Sequence, residues 1–221
     1  MSATEKNILY QAIKFHEINT VKKLIEQGLD VHHDDDKPLR VAAEMGHLGM
    51  VKLLVSKGAD IHAAIEEPLW LATKSGNPEL VQYFLEQGAN VSINDDQALS
   101  LAAKLGEIEI AKMLIKAGAN RDTSLNIPLI AAAENNQTDM IKYLVENGAD
   151  VKFRDNAPIQ YTTHNGHIAA TVLLIGLGAD EQVARKSSNA DVKKYFQAKD
   201  SIKSIKEGLH KSTTPSNTIK V

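Results

Sequence analysis

Five consecutive residues, His32-His33-Asp34-Asp35-Asp36, make the densest run of imidazole and carboxylate groups in the chain. Those donors can hold a divalent ion. Neighbours within one loop are poorly preorganised for coordination, however, and no distant stretch completes a ligand set. The expectation is a solvated acidic loop. His164 and His167 flank Gly166, and His47 follows Gly46 in the same way, so this histidine belongs to the repeat and a metal role is not expected. Leu174-Ile175-Gly176-Leu177-Gly178 is glycine-rich, yet its last glycine ends a helix, whereas a phosphate loop opens one. No Gly-x-Ser-x-Gly, Walker loop, His-Glu-x-x-His or EF-hand pattern occurs. There is no cysteine, which removes disulfides, thiolate metal sites and cysteine nucleophiles. The residues point to a chain without catalytic groups, cofactor or metal, and so to a protein that is not an enzyme.

The elements that carry these residues follow one period. Gly28, Gly58, Gly88, Gly118, Gly148 and Gly178 recur every 30 residues. All but the first precede Ala and then Asp or Asn: Ala59-Asp60, Ala89-Asn90, Ala119-Asn120, Ala149-Asp150 and Ala179-Asp180. A second series in the same period is Pro38-Leu39, Pro68-Leu69, Ala98-Leu99, Pro128-Leu129 and Pro158-Ile159, continued by Ala42, Ala72, Ala102 and Ala132. A third is Gly46, Gly76, Gly106 and Gly166, with Asn136 in the remaining slot.

Each period predicts two short helices. Proline fits the first turn of the leading helix, where its missing N–H costs nothing. Gly46 closes that helix in the left-handed region, and Asn136 is the next best residue there. The second helix carries an apolar face: Met50, Val51, Leu53, Leu54 and Val55, then Leu80, Val81, Tyr83, Phe84 and Leu85, then Ile110, Ala111, Met113, Leu114 and Ile115. Neither helix is long enough to be stable alone in water. Stability must come from stacking one unit on the next, with the small alanines allowing close approach.

These residues resemble the ankyrin repeat, whose pattern runs Thr-Pro-Leu-His-x-Ala-Ala, a glycine, an aliphatic second helix and Gly-Ala-Asp. The resemblance covers about residues 5–198. It implies an all-α, ankyrin-type helix-turn-helix solenoid of about six repeats plus a degenerate C-terminal capping unit. The units are expected at 5–33, 34–63, 64–93, 94–123, 124–153 and 154–180, with the cap at 181–198. Residues 199–221 should be a helical extension, to about residue 209, and a disordered polar tail. Two departures stand out. The period is 30 residues where 33 is common, so the hairpin fingers of the family should be shortened loops. The Thr and His of the motif are replaced, as in Glu67-Pro68-Leu69-Trp70.

The resemblance implies a non-catalytic scaffold or adaptor that binds a partner protein on its concave groove and finger loops. Carried over position by position, the implied protein-binding residues in the fingers are Asp34, Asp35, Asp36, Glu66, Glu67, Asp95 and Asp96. On the first helices they are Glu44, Met45, Trp70, Lys74, Lys104, Leu105, Glu134, Asn135 and His164. The acidic fingers suggest a partner with a basic surface and argue against nucleic acid. Trp70 is either an exposed anchor or packs between repeats in place of the lost His, and packing is the expectation.

Charge is uneven. Residues 183–221 hold nine Lys+Arg against three Asp+Glu in a chain whose net charge is −3. No run of about 18 apolar residues suggests a membrane span, and no ordinary secretory signal opens the chain. A cytoplasmic monomer is the expectation. The alternative is a secreted effector of an intracellular microbe or virus that grips a host protein in the host-cell cytosol. An enzyme with a groove site is a third, weaker reading.

Overall fold

The computed structural model describes residues 2–93, 97–119 and 125–213; among them are fourteen helices and no strand. The chain forms two compact units, Met1–Ala149 and Asp150–Val221.

The first unit contains α1 (Ala3–Lys14), α2 (Ile18–Glu26), α3 (His33–Glu44), α4 (Leu48–Ser56), α5 (Ala63–Ser75), α6 (Pro78–Glu86), α7 (Gln97–Leu105), α8 (Ile108–Lys116), α9 (Asn126–Glu134) and α10 (Thr138–Glu146). The odd-numbered helices pack side by side in one row, and each packs on the even-numbered helix that follows it. The 30-residue period reappears in the core. Leu39, Ala42, Ala43, Met50, Val51 and Leu54 are fully buried, as are Leu99, Ala102, Ala103, Ile110, Ala111 and Leu114 two repeats on. The apolar face of each second helix is narrower than its composition suggests. Leu53 and Val55 are only half-buried, whereas Met50, Val51 and Leu54 are fully buried.

Hydrogen bonds explain the periodic residues. At the end of α3, Gly46 (φ 71°) donates to the Ala43 carbonyl at 3.0 Å, and His47 to the Ala42 carbonyl at 3.0 Å. Asn136 and His16 take the same left-handed turn at φ 57° and 58°, so His16 fills the slot in the first repeat. The Asp or Asn after each Gly-Ala makes a tight side-chain turn. Asp30 accepts from the His32 backbone at 2.8 Å, Asp60 from His62 at 2.9 Å and Asn90 from Ser92 at 3.0 Å. Such a turn reverses the chain in two residues.

The shortened fingers are left-handed helical turns. Asp34-Asp35-Asp36 has φ of 55°, 58° and 50°, and Ala64-Ile65-Glu66 has 49°, 60° and 63°. Each is closed by a backbone bond four residues back, Asp36 to His32 at 3.2 Å and Glu66 to His62 at 3.3 Å. With three residues fewer than the family norm, the chain lacks the length for a hairpin and coils tightly into the next helix. Each L-residue held this way costs about 1–2 kcal/mol. The turn persists because its third residue is tied down.

The second unit contains α11 (Phe153–His164), α12 (Ile168–Gly176), α13 (Glu181–Arg185) and α14 (Ala190–Thr213). Arg154-Asp155-Asn156 repeats the left-handed turn at φ 48°, 55° and 65°. Thr162 and Thr171 are wholly buried with hydroxyls 3.0 Å apart; the first unit has alanine at the position of Thr162 and valine, alanine or isoleucine at that of Thr171. α13 and the start of α14 close the stack. Val192 and Phe196 are buried, and Arg185 bonds Asp200 at 2.9 and 3.0 Å and Glu181 at 2.7 Å. Lys199 adds a bond to Glu181 at 2.8 Å, so these two cations hold the Glu181 carboxyl below its usual range, the Lys199 bond being the larger cause. α14 continues past the expected end near residue 209. The rest of the polar tail, 214–221, lies outside the described residues.

Candidate protein-binding surface

Buried framework positions leave a fixed set of positions facing solvent on the first-helix row. Residues 44, 45, 74, 104, 105 and 134 are exposed, two or three residues beyond the buried alanines at 42, 72, 102 and 132. Met45 and Leu105 share a register and are each 40% exposed. Phe15, thirty residues before Met45, is 73% exposed. Sequence reasoning passed over Phe15 because the first repeat lacks the Pro-Leu signature. Its register relative to Met45 was the available signal.

The charged candidates on this face are partly paired. Lys74 bonds Glu44 across adjacent repeats at 2.9 Å, and its ammonium lies 5.7 Å from the Trp70 ring centroid. Trp70 is half-buried and lines a narrow crevice with Ile65, Val91 and Ile93 of the flanking segments, which agrees with packing between repeats. Lys104 and Glu134 are exposed, whereas Asn135 turns back to bond the Ala131 carbonyl at 2.9 Å. In the second unit, His164 is exposed on α11.

The finger candidates look different in three dimensions. Asp36 and Glu66 were expected on the surface, but both are buried at the third position of the left-handed turn. Asp36 bonds His32 Nδ1 at 3.0 Å and Glu66 bonds His62 Nδ1 at 2.5 Å. The Glu66 bond raises the His62 pKa above its ordinary value. Asp34 is held by Lys6 at 2.9 Å, which pulls its carboxyl down, and Glu67 is paired with Arg40. Asp35 is exposed. Asp95 and Asp96 lie outside the described residues. Much of the acidity read from the loops is therefore spent on neighbouring side chains. The His32–Asp36 run is likewise occupied: His33 bonds the Tyr10 hydroxyl at 2.7 Å and the Asp30 carbonyl at 2.7 Å. Among the described residues no group of three or more ligand-type side chains is arranged to hold a metal ion.

A concavity of about 560 Å³ lies in the second unit between α11 and α13, lined by Tyr161, His164, Lys186, Ser187 and Ser188 with four further residues. Its lining contains no Asp or Glu.

Paired short helices stacked in two rows, with glycine-closed turns in a 30-residue period, define a helical repeat protein. The descriptions "Ankyrin repeats (3 copies)" and "Ankyrin repeat" match residues 1–65 and 64–125, and residues 124–156, respectively. The chain belongs to the ankyrin repeat family. Among solved structures, the crystal structure of the human ASB11 ankyrin repeat domain is similar. It shares 26% sequence identity with a TM-score of 0.69, over 82% of this chain and 86% of that one. No curated protein matches the chain. Ankyrin repeats are in general protein–protein interaction modules and are typically non-catalytic. Among the described residues no helix is long and apolar enough to cross a membrane.

Proposed function

We propose that this chain is a non-catalytic scaffold that binds a partner protein on the exposed face of its first-helix row. The observation that carries the reading is the register of Phe15, Met45 and Leu105. Large apolar side chains stay exposed at this position in three repeats, two residues past the buried Ile13, Ala43 and Ala103, while Ser75 and Asn135 hold it in two others. Solvent alone gives no reason to place them there in register. With Lys74, Lys104, Glu44, Glu134 and Trp70 beside them, they make a mixed apolar and charged strip suited to a protein surface. Three or four repeats can supply the roughly 800 Å² per partner that a standard interface buries. The finger turns lie at the opposite end of the first helices from Phe15, Met45 and Leu105. Among the described residues their contribution toward a basic partner comes down to Asp35.

The test is affinity capture from lysate with the native chain and with Met45→Glu/Leu105→Glu. Lys57→Glu, on an exposed site at the end of α4, serves as the control. All three proteins should melt alike. The expected outcome is a partner retained by the native and Lys57→Glu chains and lost from the double variant, since anchors of this kind carry about 2 kcal/mol or more each. Equal retention by all three would remove the strip from consideration.

A further inference from the structure

We propose that the concavity between α11 and α13 binds a carboxylate side chain carried by an acidic peptide segment, which gives the partner of the protein-binding reading above a defined chemistry. The pocket's size is within the range of real ligand sites, about 300–1,000 Å³, at about 560 Å³. Its ionisable lining consists of His164, Lys186 and the Tyr161 phenol, although the chain as a whole carries more Asp+Glu than Lys+Arg. Among the described residues neither the Lys186 ammonium nor the His164 ring is paired with a carboxylate. The nearby Arg185 is, by contrast, fully engaged with Glu181 and Asp200.

Both helices that wall the pocket end beside it, and helix C-termini carry partial negative charge that would repel an anion. At the end of α11 that charge is partly answered. The Thr163 carbonyl accepts from Ser187 Oγ at 3.2 Å, and the His164 carbonyl accepts from Asn189 Nδ2 at 3.1 Å. The cations are left to act on a ligand. Tyr161, 42% exposed, forms an apolar wall with Ala157 and Val183. Such a wall suits the methylenes of a glutamate and a strand of backbone.

Phosphate would ask for something else. Its recognition favours the planar guanidinium fork of arginine or a run of backbone N–H groups. The lining has no arginine, and it sits at helix C-termini. One ammonium, one imidazole and the Ser188 hydroxyl match a carboxylate, the single Ser187 proton being given to Thr163.

The experiment uses the full chain and fluorescein-labelled ten-residue Gly/Ser peptides that carry three Glu, three Gln or three phosphoserines. Anisotropy should show the Glu peptide binding at least tenfold tighter than the Gln peptide. Lys186→Glu and His164→Glu should each weaken it by about tenfold, with unchanged melting, while Lys57→Glu leaves affinity within twofold. Equal binding of Glu and Gln peptides, or indifference to Lys186→Glu, would overturn the assignment. A phosphoserine peptide more than tenfold tighter than the Glu peptide, and lost in Lys186→Glu, would overturn the choice of carboxylate. A captured partner that depends on Met45 and Leu105 but ignores Lys186→Glu would overturn this inference while leaving the protein-binding reading standing. A captured partner retained equally by the Met45→Glu/Leu105→Glu and Lys186→Glu chains would count against the function itself.

Discussion

Single residues decide which acids are available to a partner. Asp35 and Glu66 look equivalent in sequence, as acidic residues of consecutive fingers. The left-handed turn separates them by one position, which turns Asp35 out and Glu66 in. Glu66→Lys would replace a buried, hydrogen-bonded carboxylate with a cation next to His62. It should lower stability by about 2 kcal/mol, seen as a fall of several degrees in Tm. Asp35→Lys should change stability by less than about 0.5 kcal/mol. Equal melting of the two would mean that Glu66 is not buried as described. The same turn places Ile65 at φ 60° with 69% of its surface exposed. A β-branched residue is strained there, and the matching positions of the other turns hold Asp35 and Asp155. Ile65→Asn should therefore raise stability, by up to about 1 kcal/mol. A drop in the denaturation midpoint would show that Ile65 packs more than it strains.

At the scale of elements, each helix is an incomplete object. The first-unit helices after α5 run nine residues apiece, below the length that is stable alone. They exist because alanine and leucine faces are buried against two neighbours. α14 is the exception, with 24 residues. Its opening turns close the second unit through Val192, Phe196 and the Arg185–Asp200 pair. Beyond Asp200 its described side chains are exposed, Ile202 and Ile205 among them. Ending the chain after Asp200 should leave Tm within about 2 °C. Ending it after Asn189 removes both buried side chains, and losing a buried Phe alone costs about 3–5 kcal/mol, so the second unit should melt far earlier. Similar melting of both truncations would refute the capping role of α14.

For the molecule as a whole, the repeat was legible before any coordinates. A strict 30-residue period in glycine, alanine and Pro-Leu defines helix starts, helix ends and the buried face, because each of those residues answers a local or nearest-neighbour demand. Asn136 as a glycine substitute could be read on the same grounds. The finger acids could not. Whether Asp36 and Glu66 face water depends on the hand of a three-residue turn and on a histidine four positions earlier, neither of which periodicity records. Asp34 and Glu67 find their cations 28 and 27 residues away, at Lys6 and Arg40. Phe15 joins Met45 and Leu105 only when the repeats are laid in register. The pocket at Tyr161, His164 and Lys186 needs α13 folded against α11. Sequence by itself thus determined the repeat, its core and its family, since these follow from spacing along the chain. Tertiary structure alone decided which charges remain free and where a concavity forms, because both depend on which side chains of neighbouring helices come within a few ångströms of each other.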